Sequence, residues 1–243
     1  MNRLTSMLDD QTASPTNAVT ERVDLGVETV RQLNARLHSA SPGTDWLVER
    51  PGGRHNLAVG IDRELTLTVN GHVGYYFAGM HQFATARVNG NAGVGLAENI
   101  MSGRVHVTGD ASQSAAATGN GGLVVVDGNT GARCGISMKG VDIVVGGDVG
   151  HMSAFMAQAG RLVVCGNAGE ALGDSIYEAR LYVQGSVASL GADCVEKPMR
   201  PEHLAELAEL LARAGRHENP ARFRRYGSAR TLYHFHVDNA SAY

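Results

Sequence analysis

Glycine fills 31 of the 243 positions and proline only 6. Glycine therefore runs at nearly twice its average usage of about 7%, without the proline excess or G-X-Y period of a collagen or low-complexity chain. With 43% hydrophobic and 19% charged residues the composition is that of a folded globular protein, and a net charge of −3 offers no clustered basic footprint for nucleic acid.

Aromatic residues are scarce at 5%, so a core has to be filled by Val, Leu, Ile, Ala and Met, in thin repeated layers more than around a bulky centre. The opening MNRLTSMLDDQTASPTN lacks the apolar stretch of a signal peptide, and no run reaches the ~18 apolar residues of a transmembrane helix. A cytoplasmic protein is expected. Cys134, Cys165 and Cys194 are odd in number and form no C-x-x-C pair, so reduced thiols are expected in place of disulfides or a zinc site.

Residues 1–49 read as an N-terminal helical arm. An amphipathic helix is predicted from Val27 to Leu37, with Val27, Val30, Leu33 and Leu37 on one face.

From residue 50 a repeat takes over. Gly71, Gly90, Gly109, Gly128, Gly147, Gly166 and Gly185 recur at a step of 19 residues with no insertion or deletion. The residues four and two places before each glycine are apolar without exception, from Leu67 and Val69 to Leu181 and Val183, and the flanking positions are mostly polar. That alternation is the signature of a short strand with one buried face. The Asn-Gly and Asp-Gly pairs that follow predict a turn in which glycine supplies positive φ. A second corner is marked by small residues at one phase: Ala78, Ala97, Ala116, Gly135, Ala154, Gly173 and Ala192.

One strand per 19 residues leaves no room for a helix between strands. Hairpins tolerate drift in length, whereas stacked coils must match, so strict register selects an all-β, right-handed parallel β-helix over an antiparallel sandwich. Seven coils at ~4.8 Å per step would span about 34 Å, and an eighth, degenerate coil is expected around Gly52. The solenoid is assigned to residues 50–195 and a C-terminal helix and tail to 196–243. A helix over 201–214 is predicted, with Pro201 in its first turn, Leu204, Leu207, Ala208 and Leu211 on one stripe, and Gly215 as its stop. The two flanking helices are expected to cap or line the rod.

The runs GNAGVGLAENIMSGRVHVTGDAS (90–112) and GGDVGHMSAFMAQAGRLVVCGNAGEALGDSIYEARLYVQGSV (146–187), with the glycine spacing, resemble the GXGXG-motif β-helix domain that closes the large subunit of glutamate synthase. The resemblance covers residues 50–195. Chain size and the tail LYHFHVDNASAY are most similar to the stand-alone version found in N-methylglutamate synthase (methylamine-glutamate N-methyltransferase). What the resemblance implies is a subunit without catalytic groups of its own, in a complex with a class II glutamine amidotransferase-like subunit and an FMN-binding glutamate synthase-like subunit. Flavin, and any iron–sulfur cluster, would then sit on the partner, with no cofactor or metal on this chain.

Other constellations are weaker. The repeat glycines are no phosphate cradle, because no helix follows the turns. His234, His236 and Asp238 alternate on one side of a predicted strand, which a metal could use, but no distant third ligand is visible. Cys165 lacks the companion cysteines of a cluster. Asp110, Asp127 and Asp148 are the few candidates for the acidic pairs a polysaccharide-cleaving β-helix would need, yet Asn alternates with Asp at those turns, so turn chemistry is the expectation. The arginines Arg213, Arg216, Arg222, Arg224, Arg225 and Arg230 could dock an acidic surface or an anion, though arginines lying singly in solvent beside a helix C-terminus are commoner.

Three places before the ladder glycine the side chain should point outward, and there the coils read Thr68, Arg87, His106, Val125, Val144, Val163 and Tyr182. The apolar run from Val125 to Tyr182 has to be covered, either by a flanking segment of the same chain or by a partner subunit, and is the candidate interface. In the partner reading, Val144→Asp weakens assembly and leaves the isolated subunit folded.

Overall fold

The structure, a computed structural model, describes residues 20–230. The pair His234 and His236, with Asp238, lies outside them. Seven strands form the repetitive body: β3 (Leu65–Asn70), β4 (Thr85–Asn89), β5 (Arg104–Val107), β6 (Leu123–Val126), β7 (Lys139–Val145), β8 (Ala159–Val164) and β9 (Arg180–Val183). Each pairs in parallel with the next. Thr66 lies beside Thr85, Thr85 beside Arg104, Arg104 beside Leu123, Leu123 beside Asp142, Asp142 beside Arg161 and Arg161 beside Arg180. The 19-residue period is thus the length of one coil, and the fold is a parallel β-helix with flanking helices.

The alternation in each strand decides which side chains fill the rod. Leu67, Val105, Val124, Ile143, Leu162 and Leu181 stack in one inward row and Val69, Val88, Val107, Val126, Val145, Val164 and Val183 in the next, all essentially without solvent contact. A second parallel ladder follows the turn, running from Val73 through Ala92, Ala111, Thr130, Val149 and Ala168 to Val187.

The ladder glycines do not serve the purpose expected of them. Of the seven, only Gly71 has positive φ, at 128°. The others are needed because the coils approach too closely for a side chain. A Cβ on Gly128 would come within 2.3 Å of Asp110 Oδ1 and 2.8 Å of the Gly109 carbonyl oxygen, and one on Gly166 within 2.3 Å of Asp148 Oδ1.

The space is taken by an Asn/Asp ladder. Asn91 Oδ1 accepts from the Asp110 N–H, Asp110 Oδ1 from Asn129, Asn129 Oδ1 from Asp148, Asp148 Oδ1 from Asn167 and Asn167 Oδ1 from Ser186, at 2.6–3.0 Å. Alternating Asn with Asp keeps like charges two coils apart while every rung still receives an acceptor. Positive φ belongs instead to the second corner, at alternate residues such as Tyr76, Ala78 and Met80 or Ser114, Ala116 and Thr118. The middle member of each set points into the packed interior, which explains the Ala and Gly at that phase.

Both ends depart from the sequence reading. The stack begins at β1 (Thr20–Asp24) and β2 (Thr44–Glu49), which continue the sheet in parallel onto β3. The described part of the predicted arm is therefore the first layer of the rod, not a separate helical unit. Its steps are longer: Thr44 lies beside Leu65, and Thr20 lies beside Asp45, the latter because helix α1 (Val30–His38) is inserted between β1 and β2.

This helix starts three residues after the predicted Val27, which is 81% exposed in the preceding turn. Thr29 is the N-cap, its Oγ1 accepting from Gln32 N–H while the Gln32 side chain accepts from Thr29 N–H, a capping box. Leu33 and Leu37 enter the core. Asn34 then closes the corner ladder: its Nδ2 donates to the Asn56 carbonyl and its Oδ1 accepts from Ala58 N–H, both at 2.8 Å. In the coils above, the backbone performs that task, as where Ala78 N–H donates to the Leu57 carbonyl.

At the other end, β10 (Cys194–Lys197) crosses the proposed boundary at 195, and β11 (Arg224–Ser228) returns from beyond it to the sheet. β11 pairs antiparallel with β9, and β10 antiparallel with β11. The chain thus reverses direction to cover its own last coil edge, which would otherwise be an open template for pairing.

Helix α2 spans Pro201–Ala214 and ends at Gly215 in the left-handed conformation, φ 76°, as the sequence predicts. Its buried face is rotated from the predicted stripe. Leu207, Leu210, Leu211 and Ala214 are buried, whereas Leu204 is half-buried and Ala208 exposed. No helix among the described residues is long and apolar enough to cross a membrane.

Candidate functional site on the outer face of the sheet

The outward row is divided into two. Val125, Val144, Val163 and Tyr182 are completely buried, in one cluster with Leu123, Leu207, Leu210, Leu211, Ala214 and Phe223. The apolar strip is thus covered by α2 of the same chain and offers no free surface to a partner, which corrects the candidate interface. Burying Leu207, Leu210 and Leu211 contributes about 1.5–3 kcal/mol each.

Polar contacts fasten the rim of the covered half. Arg161 holds Asp142 with two bonds of 2.6 and 2.5 Å, and Arg213 reaches the same carboxylate at 3.3 Å. Arg180 pairs with Glu206, which also accepts the Tyr182 hydroxyl at 2.6 Å. Burial, and then the adjacent Glu206 carboxylate, push the Tyr182 phenol well above its ordinary range.

The arginine cluster of the C-terminal segment is dispersed by the fold. Arg216 pairs with Glu218, Arg224 and Arg225 donate to the carbonyls of Gly185 and Pro198, and Arg230 pairs with Asp193 beside the Tyr177 ring. Of the acidic candidates, Asp110 and Asp148 are rungs of the turn ladder, and only Asp127 faces the outer sheet. All three cysteines are held as thiols by burial, which pushes Cys165 up to about 12 and Cys134 and Cys194 to about 11. Thiols so raised are poor nucleophiles.

Where α2 ends, the outer face opens into a cleft of about 750 Å³ lined by Arg87, Arg104, His106, Asp127 and the segment from Ala214 to Glu218. A hydrogen-bonded line crosses it along the rod. Asn70 Nδ2 donates to Glu49, Asn89 Nδ2 to Asn70 Oδ1, and Arg87 Nε to Asn89 Oδ1, at 2.8–3.0 Å.

Arg87 Nη1 then meets His106 Nδ1 at 2.7 Å, and His106 Nε2 meets Asp127 Oδ2 at 2.9 Å. Because guanidinium has only donors, Nδ1 is the accepting nitrogen and the ring proton sits on Nε2, donated to Asp127. The sequence singled out Arg87 and His106 only as outward positions. It gave no sign that Arg104, Asp127, Arg216 and Glu218 would join them, since the last two come from the far side of a helix.

The molecule is thus defined as a parallel β-helix whose outer face is half sealed by its own helix and half open and polar. No protein-family model matches the chain. It is 58% identical over 225 residues to protein GlxC of Rhizobium meliloti (strain 1021), across 91% of this chain and 99% of that protein. The chain belongs to the GlxC family.

Proposed function

We propose that this chain is the β-helical subunit of a glutamate synthase-type complex, in which it holds an amidotransferase-like subunit and an FMN-binding subunit in fixed relation. The complex so proposed is N-methylglutamate synthase, which joins methylamine to glutamate with release of ammonia. The observation that carries it is the match between the GXGXG run and the fold: each motif glycine sits at a coil-to-coil contact of a parallel β-helix. Support of a second kind comes from the kinship with GlxC, which runs over nearly the whole of both sequences.

In this role the rod works through rigidity. Stacked coils with a packed interior transmit position along the axis and leave chemistry to the partners. Purification of the tagged chain from its native host at native expression tests the proposal. Stoichiometric amidotransferase-like and flavin subunits, a yellow preparation, and amine-dependent turnover of glutamate are expected. A colourless chain recovered alone from cells that express it would overturn the assignment.

A further inference from the structure

The cleft at the end of α2 holds more positive charge than its own carboxylates engage. Asp127 is turned to His106 and, at 4.0 Å, to Arg216. Glu218 is taken up by Arg216. Among the described residues, no carboxylate is in ionic contact with Arg87 or Arg104.

Arg87 spends two donors, on Asn89 and His106, and Arg104 spends one, on the Arg213 carbonyl at 2.5 Å. Each guanidinium carries five N–H donors, so most of both remain unspent in half-buried side chains. Burial, followed by the charges of Arg213 and Arg87, makes the Arg104 cation less favourable than usual. Like charges are crowded here, and the Asp127 carboxylate offsets them only in part.

The register brings the two arginines together. Arg104 lies beside Thr85 and Arg87 beside His106 on adjacent strands, so the two start two residues and one strand apart on the same face. Strand spacing puts their Cβ atoms roughly 8 Å apart, within joint reach of two long side chains. Planar forks of this kind match the paired oxygens of a carboxylate or phosphate group.

Their positions are also held. Arg87 is fixed from both sides by Asn89 and by a histidine whose other nitrogen is tied to Asp127. Arg104 is fixed by the last turn of α2, where it donates to the Arg213 carbonyl. A preorganised pair loses less side-chain freedom on binding than two free surface arginines would.

We propose that this cleft is a binding site for a small oxyanion, a carboxylate or phosphate group held between Arg87 and Arg104 at the C-terminal end of α2. The proposal does not depend on the assignment to a glutamate synthase-type complex, because the isolated chain carries both arginines and the helix end that positions them.

Titration calorimetry and thermal melts of the full chain with succinate and with inorganic phosphate, each against sodium chloride at matched ionic strength, test it. Saturable binding of at least one probe and a rise in melting temperature beyond the chloride control are expected. Arg87→Gln and Arg104→Gln should each weaken that binding roughly tenfold, while Arg31→Gln, at an exposed position of α1, leaves it unchanged.

Arg104→Gln also removes a helix cap, so Arg87→Gln, with its circular dichroism and melting temperature checked, is the variant that separates binding from folding. The proposal fails if neither probe binds saturably. It fails equally if Arg31→Gln loses as much affinity as Arg87→Gln, which would mark diffuse charge attraction. Binding of an acidic protein surface with no response to either small probe would also overturn it, in favour of a partner's carboxylate at the same arginines.

Discussion

The two halves of the outer sheet face share one backbone and differ only in what points away from it. From β6 to β9 the outward row is Val125, Val144, Val163 and Tyr182, and α2 covers it. From β3 to β5 the same row is Thr68, Arg87 and His106, and among the described residues no helix covers it. The coil length, the inward rows and the turn ladder run through both halves without a break. Side-chain chemistry at every second residue therefore decides where the helix lies, because α2 gains hydrophobic burial only over the apolar half and would strand polar groups on the other.

Matched substitutions test that contrast most directly, and they give the largest effect. Val144→Asp places a carboxylate with no partner beneath α2 and should cost about 3–5 kcal/mol, so the isolated chain should melt early and α2 should become open to proteolysis. Thr68→Asp, at the same phase of an open coil, should change stability by less than about 0.5 kcal/mol. Equal melting temperatures for the two variants would sink the account of the covered face, and would restore the expectation that Val144 waits for a partner.

The glycine ladder should ignore the division between halves. Gly90→Ala, with a Cβ 2.7 Å from Gly71 backbone atoms, and Gly147→Ala, with one 2.3 Å from Asn129 Oδ1, should each cost about 1–3 kcal/mol through overpacking. A free-energy difference much larger than their scatter, measured by denaturant titration, would mean that the coils are not equivalent.

A smaller effect is expected at the polar rim of the helix. Tyr182→Phe keeps the ring and removes the bond to Glu206, for about 1 kcal/mol. Glu206 retains Arg180, so the loss should not grow to the size seen with Val144→Asp.

The smallest prediction concerns pH. The hydrogen bond from Arg216, outweighing burial, holds the Glu218 carboxyl below its ordinary value of 4.5. A carboxyl lowered in the folded state contributes stability in full above its unfolded pKa and loses it as pH falls through the folded value. Glu218→Gln should therefore lower the melting temperature slightly at neutral pH and not in strong acid, where the acidic arms of the two melting-temperature profiles should meet. Parallel profiles would show that the pair contributes nothing at the cleft.

Much of the fold was legible in the sequence because it repeats. Alternation at Leu67 and Val69, multiplied by seven coils, places the inward rows and excludes drift. Pro201 and Gly215 mark α2 to the residue, since one suits a first turn and the other a left-handed stop. The N-terminal strands were missed because Thr20–Asp24 and Thr44–Glu49 are interrupted by α1 and leave the 19-residue step.

The candidate site was only partly legible. Arg87 and His106 stood out by phase, but their neighbours Arg216 and Glu218 reach the cleft from beyond α2. The buried stripe of α2 was misjudged by about a sixth of a turn because Leu204 and Ala208 are as apolar as Leu210 and Ala214, and only the sheet beneath distinguishes them.

What the sequence determined by itself is periodic and local: the coil length, the inward side of the seven repeat strands, the small residues of the second corner, and the ends of α2. Tertiary structure decided the rest. It alone showed that the ladder glycines yield space to an Asn/Asp ladder, that β11 turns back to close the last edge, and that the apolar strip is sealed from within while the polar half stays open. Local pattern is set within one coil, but cover and contact depend on which distant segment gains most by lying there, and that is a property of the whole folded chain.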